Sequence, residues 1–300
     1  MMKSKRYSKN LAKAALASFI LLNLILASGC SSSTSPTYTK EKIDSAISDI
    51  CKTEYKLDVR TKLFGDTLWV YLPVENIFVQ SEKPKKTIEL FKVEQNKGEF
   101  KDAALNIEYA IKAVPKKEQS DNYEVNKDVS EKLGSVWRAI RRVIFSMDYK
   151  LSGPKFICIV VADTKNGFDI RTVIYYLDLK KVSYGLISND EYQHRTVQET
   201  SVNPKIINDL TGQYLEYKNI LMPDFVAAQI QQRIRLKFHK PELNNKNADI
   251  DKEVLKIAAF TLKAYGFKDF NEVKLHNLLT EKKVTLNKAA ILLGPTEQKF

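Results

Sequence analysis

Apolar residues along the chain recur first with a helical period and then with an alternating one. Ile43, Ile47, Ile50 and Cys51 share one stripe with Lys, Asp and Ser between them, which predicts an amphipathic helix over 41–54. Leu57, Val59, Thr61 and Leu63 then alternate with charged residues, Gly65-Asp66 breaks the run, and Leu68-Trp69-Val70-Tyr71-Leu72 resumes in strand-favouring residues. That is the pattern of a β-hairpin. Further on, Val129, Leu133, Val136, Trp137, Ile140, Ile144 and Met147 predict a helix over 127–147. Phe156 to Ala162 is apolar on both faces, as in a central strand, and Lys165-Asn166-Gly167 turns the chain into a strand near 168–177.

Helix, strand, turn and strand thus occur twice, over 41–74 and 127–177. The repeat predicts an α+β fold in which the two units share one antiparallel sheet with both helices on one face. Between them, 81–86 and 116–128 read as polar loops flanking a weak strand at 87–93 and a strong one at 104–114, which Pro115 stops. Met222-Pro223-Asp224 opens a helix reaching Phe238, and Asp249 to Tyr265 forms another, closed by Gly266. The expected organisation is an α+β domain at 40–238, an Asn- and Lys-rich break at 239–248, and a helical extension or small second domain at 249–300.

The amino terminus has its own pattern. Lys3, Lys5, Arg6, Lys9 and Lys13 precede sixteen uncharged residues, Ala14 to Gly29, the basic-then-apolar order of an export signal. As a helix this run spans about 24 Å, short of the roughly 30 Å hydrocarbon core, so cleavage fits better than a permanent span. Leu26-Ala27-Ser28-Gly29-Cys30 resembles the lipobox of bacterial lipoproteins. The resemblance covers only residues 1–30. It implies removal of 1–29 between Gly29 and Cys30, a diacylglycerol on the Cys30 thiol, and a bacterial envelope protein whose membrane partner is reached through acyl chains. Ser31 after the cysteine implies, in a two-membrane host, the periplasmic face of the outer membrane. Residues 31–39, all Ser, Thr, Pro or Tyr, read as a tether that reaches at most about 30 Å.

Composition changes this picture in two ways. Removing the five leader cations lowers the formal balance from +12 to +7, and the remaining lysines are scattered, so nucleic acid is not an expected partner. Two cysteines remain beyond Cys30, enough for one disulfide. Cys51 on an apolar stripe and Cys158 inside an apolar strand also suit buried free thiols.

Motif-borne chemistry is sparse. The glycines are isolated, there is no Gly-x-Ser-x-Gly elbow, and His194, His239 and His276 form no metal-binding pair, so neither cofactor nor metal is expected. Asp163 ends the apolar strand, where a carboxylate activates water in some enzymes, but Asn166-Gly167 after it marks a hairpin residue. Asp190 and Glu191 lie near His194, half of an acid–base pair with no nucleophile beside it. Arg138, Arg141 and Arg142 share a helix face opposite the apolar stripe and could grip an anionic lipid or cell-wall polymer, or simply be solvated. Trp69 and Tyr71 give their hairpin two apolar faces, either covered on both sides or offered to a protein partner. The preferred expectation is an envelope lipoprotein that binds a protein or cell-wall partner without a catalytic site. The alternative is an extracytoplasmic hydrolase using Asp163, Asp190 and His194.

Overall fold

The computed structural model describes residues 37–147, 153–239 and 249–293, so Gly29 and Cys30 lie outside the described residues. Helix α1 (Ile43–Tyr55) turns its isoleucines and Cys51 inward and stops at Lys56, whose left-handed backbone (φ 58°) lets the Leu57 N–H donate to the Cys51 carbonyl. Strands β1 (Arg60–Phe64) and β2 (Thr67–Val74) form the first hairpin around Gly65. The chain then runs through two very long strands, β3 (Phe78–Lys101) and β4 (Ala104–Val125), before helix α2 (Lys127–Phe145) begins under an Asn126 cap. Strands β5 (Phe156–Asp163) and β6 (Phe168–Tyr175) form the second hairpin.

The single antiparallel sheet expected from the repeat is not what forms. There are two mixed sheets, ordered β1-β2-β5-β6-β7 and β3-β4-β8-β9, each with one parallel pair at its centre: β2 with β5, and β4 with β8. β7 is Val197–Val202, β8 Glu272–Asn277 and β9 Lys282–Asn287. The physical reason is in the connection. A strand pair joined by a long excursion containing a helix can lie parallel, and β2 and β5, buried on nearly every position, suit a sheet centre covered on both faces.

One face of the first sheet, with Leu68, Val70, Leu72, Ile157, Ile159 and Val161, packs on α1 and α2. The other, with Trp69, Tyr71, Cys158, Val160 and Ala162, is covered by a segment carrying Ile206, Tyr214, Leu215, Tyr217 and Ile220. Trp69 and Tyr71 are therefore interior, and no patch is offered there. Tyr71 donates its hydroxyl to the Asp209 carbonyl at 2.5 Å, and Trp69 donates Nε1–H to the Lys218 carbonyl at 3.0 Å.

The second sheet corrects one further expectation. Residues 81–86 and 116–125 are not loops but the stem of the β3–β4 ribbon. A ribbon wet on both faces needs no apolar alternation, because backbone pairing alone satisfies it, so the pattern that reveals half-buried strands is missing. Pro84 falls where the register shifts between Gln80 and Lys85, and Pro115 lies opposite the shift between Glu89 and Phe91, positions that tolerate a missing N–H. The carboxy-terminal part carries the expected helices, and its ending, open from the sequence between helix and strand, supplies both. Helices α5 (Met222–His239) and α6 (Ile250–Ala264) are followed by the β8–β9 hairpin and a short α7 (Lys288–Leu293). Leu105, Ile107, Tyr109, Val273 and Leu275 of this sheet face α5 and α6. The sheet thus draws strands from both sides of 239–248.

Among the described residues no helix is long and apolar enough to cross a membrane. Cys51 and Cys158 are free and buried, one on each face of the first sheet, so the sheet itself separates them. Burial pushes their thiols up, Cys51 to about 11 and Cys158 to about 12. Both are expected to resist iodoacetamide at pH 8 in the folded chain and to react together on unfolding in urea. Rapid modification of either without unfolding would contradict this packing.

Candidate functional site

Helices α1 and α2 do not cover the whole inner face of the first sheet. Beyond the edge of α2, Ile159 on β5 and Thr172 and Ile174 on β6 form the floor of a cavity of about 650 Å³. Leu133 and Trp137 of α2 wall one side, and Gln232 and Leu236 of α5 wall the other. Between them stands helix α4 (Asn189–His194), capped by Ser188 Oγ, which accepts the Glu191 N–H at 3.0 Å. α4 contributes Asp190, Tyr192, Gln193 and His194, and Thr196 and Gln198 close the floor toward β7. The volume is within the range of small-ligand sites. The polar groups are mostly neutral amides and hydroxyls, set beside the indole of Trp137 and the ring of Tyr192. Such a lining hydrogen-bonds an uncharged, hydroxyl-rich ligand well and leaves it an apolar face to pack on.

The walls of this cavity belong to elements that a buried charge network holds together. Arg195 is 8% exposed and sits just after α4. It donates Nε–H to Glu191 Oε1 at 2.6 Å and an Nη1 hydrogen to Asp178 Oδ1 at 2.9 Å, Asp178 lying fully buried in α3 (Tyr176–Ser183). Arg233 of α5 donates to the same Glu191 oxygen at 3.0 Å. One carboxylate oxygen therefore joins α4 to α5. Around it, the rings of Phe156, Tyr175, Phe225 and Tyr265 meet at centroid distances of 5.0–6.1 Å, bringing β5, β6, α5 and the end of α6 together. Both Gln229 amide atoms are buried without a hydrogen-bond partner among the described residues. The Tyr265 hydroxyl is buried against the Asp178 carboxylate; burial first, and then that carboxylate's charge, push the phenol up. A joint with such desolvation costs orients its helices more than it stabilises them.

The residues singled out from the sequence separate. Asp190 and His194, four apart on α4, both line the cavity. Asp163 does not. Its carboxylate accepts the Ile77 N–H at 2.8 Å, the Lys165 and Asn166 N–H groups at 3.2 and 2.9 Å, and the Asn166 side-chain amide at 3.0 Å, which makes it the clasp of the β5–β6 turn. The three arginines share a helix but not a target. Arg138 lies 5.3 Å from the Tyr55 ring centroid, Arg141 donates to Ser183 Oγ at 3.2 Å, and Arg142 pairs with Glu54 at 2.6 Å. No group of three or more His, Cys, Asp or Glu side chains that could hold a metal ion occurs among the described residues. His276 faces Glu281 at 3.3 Å on the second sheet.

Several site residues escape sequence reasoning. Trp137 reads as part of the packing stripe of α2, and Thr172, Gln198 and Gln232 carry no motif. The spacing of Glu191 and Arg195, four apart, is the one local signal of the network. Comparison with protein-family models, curated proteins and solved structures finds no match to this chain.

Burial resists ionisation of Asp163, Glu191, Asp209 and Asp251. Their hydrogen-bond donors, with nearby cations at Glu191 and Asp251, outweigh it and hold each carboxyl below its usual range. A lowered folded-state pKa contributes stability above the unfolded value of about 4, and that contribution is lost as pH falls through the folded value. The midpoint of thermal unfolding should be flat from pH 7 to 5 and fall steadily below about pH 4, less steeply in Glu191→Gln. Circular dichroism melts across that range check it; a slope unchanged in Glu191→Gln would contradict the role given to this carboxylate.

Proposed function

We propose that the mature chain is an envelope lipoprotein, anchored through acyl groups on Cys30, that binds a neutral envelope polymer in the cavity between α2, α4 and α5. In a two-membrane host its place is the periplasmic face of the outer membrane. The anchor reading is supported by the basic segment, the short apolar run and the lipobox-like Leu26–Cys30. The binding reading is carried by one observation: the polar lining of the 650 Å³ cavity is mostly neutral amide and hydroxyl, set beside two aromatic side chains. A glycan strand matches that chemistry, with hydroxyls for Thr172, Gln193, Gln198 and Gln232 and apolar ring faces for Trp137.

The alternative, an extracytoplasmic hydrolase with a site assembled from residues distant in sequence, has Asp190 and His194 in the cavity but not Asp163. Asp163 lines no part of the cavity, and four donor groups already occupy its carboxylate.

Two measurements test the two halves. Intact mass of the membrane-extracted protein should show loss of 1–29 and a diacylglycerol on Cys30, and Cys30→Ser should free the chain from membranes; an unmodified Cys30 overturns the anchor. Calorimetric titration of the extracted chain with soluble cell-wall glycan fragments should give saturable binding, weakened about tenfold, or roughly 1.4 kcal/mol, by Gln232→Ala. Absence of binding, or binding indifferent to that substitution, overturns the cavity assignment.

A further inference from the structure

Helix α3 has an outer face that the described residues cover only in part. Asp178 and Leu179 are buried, whereas Leu177 and Tyr184, seven apart, are exposed on the outer side; Lys180 and Lys181 are half-buried beside them, Lys181 Nζ lying 3.8 Å from Asp178 Oδ1. The helix ends in a left-handed Gly185 (φ +69°), with the Gly185 N–H donating to the Val182 carbonyl and the Leu186 N–H to the Lys181 carbonyl at 2.8 Å. In that motif the residue after the glycine commonly folds back onto the helix. Here it projects: Leu186 is 73% exposed, Tyr184 67% and Leu177 44%. Isolated exposed apolar side chains are ordinary, but these three lie within ten residues at one helix and its end, include an aromatic ring, and are interleaved with lysines.

Its place in the fold identifies what covers it. The chain leaves its proposed anchor at Cys30 and joins the folded unit at Tyr38, which forms a bridge with Met147. Two residues before Met147, Phe145 meets the ring of Tyr184 edge-on at 6.0 Å. Gly153 lies between Met147 and Tyr176, and Lys180 Nζ sits 4.7 Å from the centroid of the Tyr176 ring. Arg141 adds a further cation beside Ser183. The point of attachment and the apolar, basic face are thus neighbours, and the seven residues 31–37 hold that point within about 25 Å of the lipid. At such an effective concentration, weak interfacial affinity suffices.

We propose that this face lies on the membrane that anchors the chain, with Tyr184 and Leu186 in the headgroup region and Lys180 meeting anionic phosphates. The inference rests on the Cys30 anchor reading. Tyrosine and leucine beside lysines that extend toward the headgroups are the composition of interfacial helices, and anionic lipid complements the charge.

The test places a reporter at the face in the full lipidated chain. Tyr184→Trp, Leu186→Trp and, as control, the 81%-exposed Val202→Trp are reconstituted in vesicles of phosphatidylcholine and phosphatidylglycerol brominated in the acyl chain. The wild type supplies the background of Trp69 and Trp137. Acylated protein with quenching at 184 and 186 roughly twofold or more above that at 202 supports the proposal, as does loss of that excess in Lys180→Gln. Acylated, membrane-bound protein without excess quenching overturns the docking face and leaves the anchor standing. A blue-shifted but unquenched reporter shows that protein covers the face, and also overturns it. A chain without acyl groups that floats free of vesicles overturns both.

Discussion

Glu191 Oε1, shared between Arg195 and Arg233, is the contact on which the arrangement of this molecule depends. Arg195 ties α4 to Asp178 in α3 and so to the first sheet, and Arg233 ties the same carboxylate to α5, whose other residues pack on the second sheet. The charges are largely removed from water, Arg195 at 9% and Arg233 at 12% side-chain exposure, so their attraction is weakly screened and their geometry is specific. Such a network contributes modest net stability, because desolvation offsets most of the attraction. What it supplies is direction: α4 stands between α2 and α5, and the space left over the β5–β6 floor is the cavity.

Much of the local structure is legible in the residues, and the reasons it stops being so are physical. The stripes of α1 and α2 and the hairpins at Gly65-Asp66 and Asn166-Gly167 depend on neighbours in sequence, and the pattern reports them. The pairing of Leu68–Leu72 with Ile157–Val161 does not, because strands buried on both faces are equally apolar whichever way they run. The β3–β4 ribbon hides for the opposite reason: with both faces wet, it carries lysines, glutamates and prolines where a strand signal would need alternation. The cavity is further from view, since Trp137, Thr172, Tyr192 and Gln232 come from four elements and each has an ordinary local explanation. Asp163 shows the converse: the turn made by Asn166-Gly167 accounts for its bonds from Lys165 and Asn166, and the Ile77 N–H ties the same carboxylate to the start of β3.

The three arginines of α2 show why a shared helix face is a weak argument for a shared ligand. Their guanidinium groups diverge to Tyr55, Ser183 and Glu54, each satisfied by a different neighbour. The cations on α3 differ in having exposed apolar neighbours and in lying beside the point where the chain joins the fold. In the proposed function two separate surfaces are used, the outer face of α3 for lipid and the cavity between α2 and α5 for a polymer. The charge network links them, since Asp178 lies on the buried side of the same helix that carries Tyr184 outward.

The most direct test of that organisation is a double-mutant cycle on Glu191→Gln and Arg233→Gln, read by urea unfolding of the membrane-extracted chain. A coupling of about 1–3 kcal/mol is the expected result, since the two side chains share one buried bond between α4 and α5. Effects that add to within about 0.5 kcal/mol would contradict it, and with it the claim that this oxygen holds the cavity walls together.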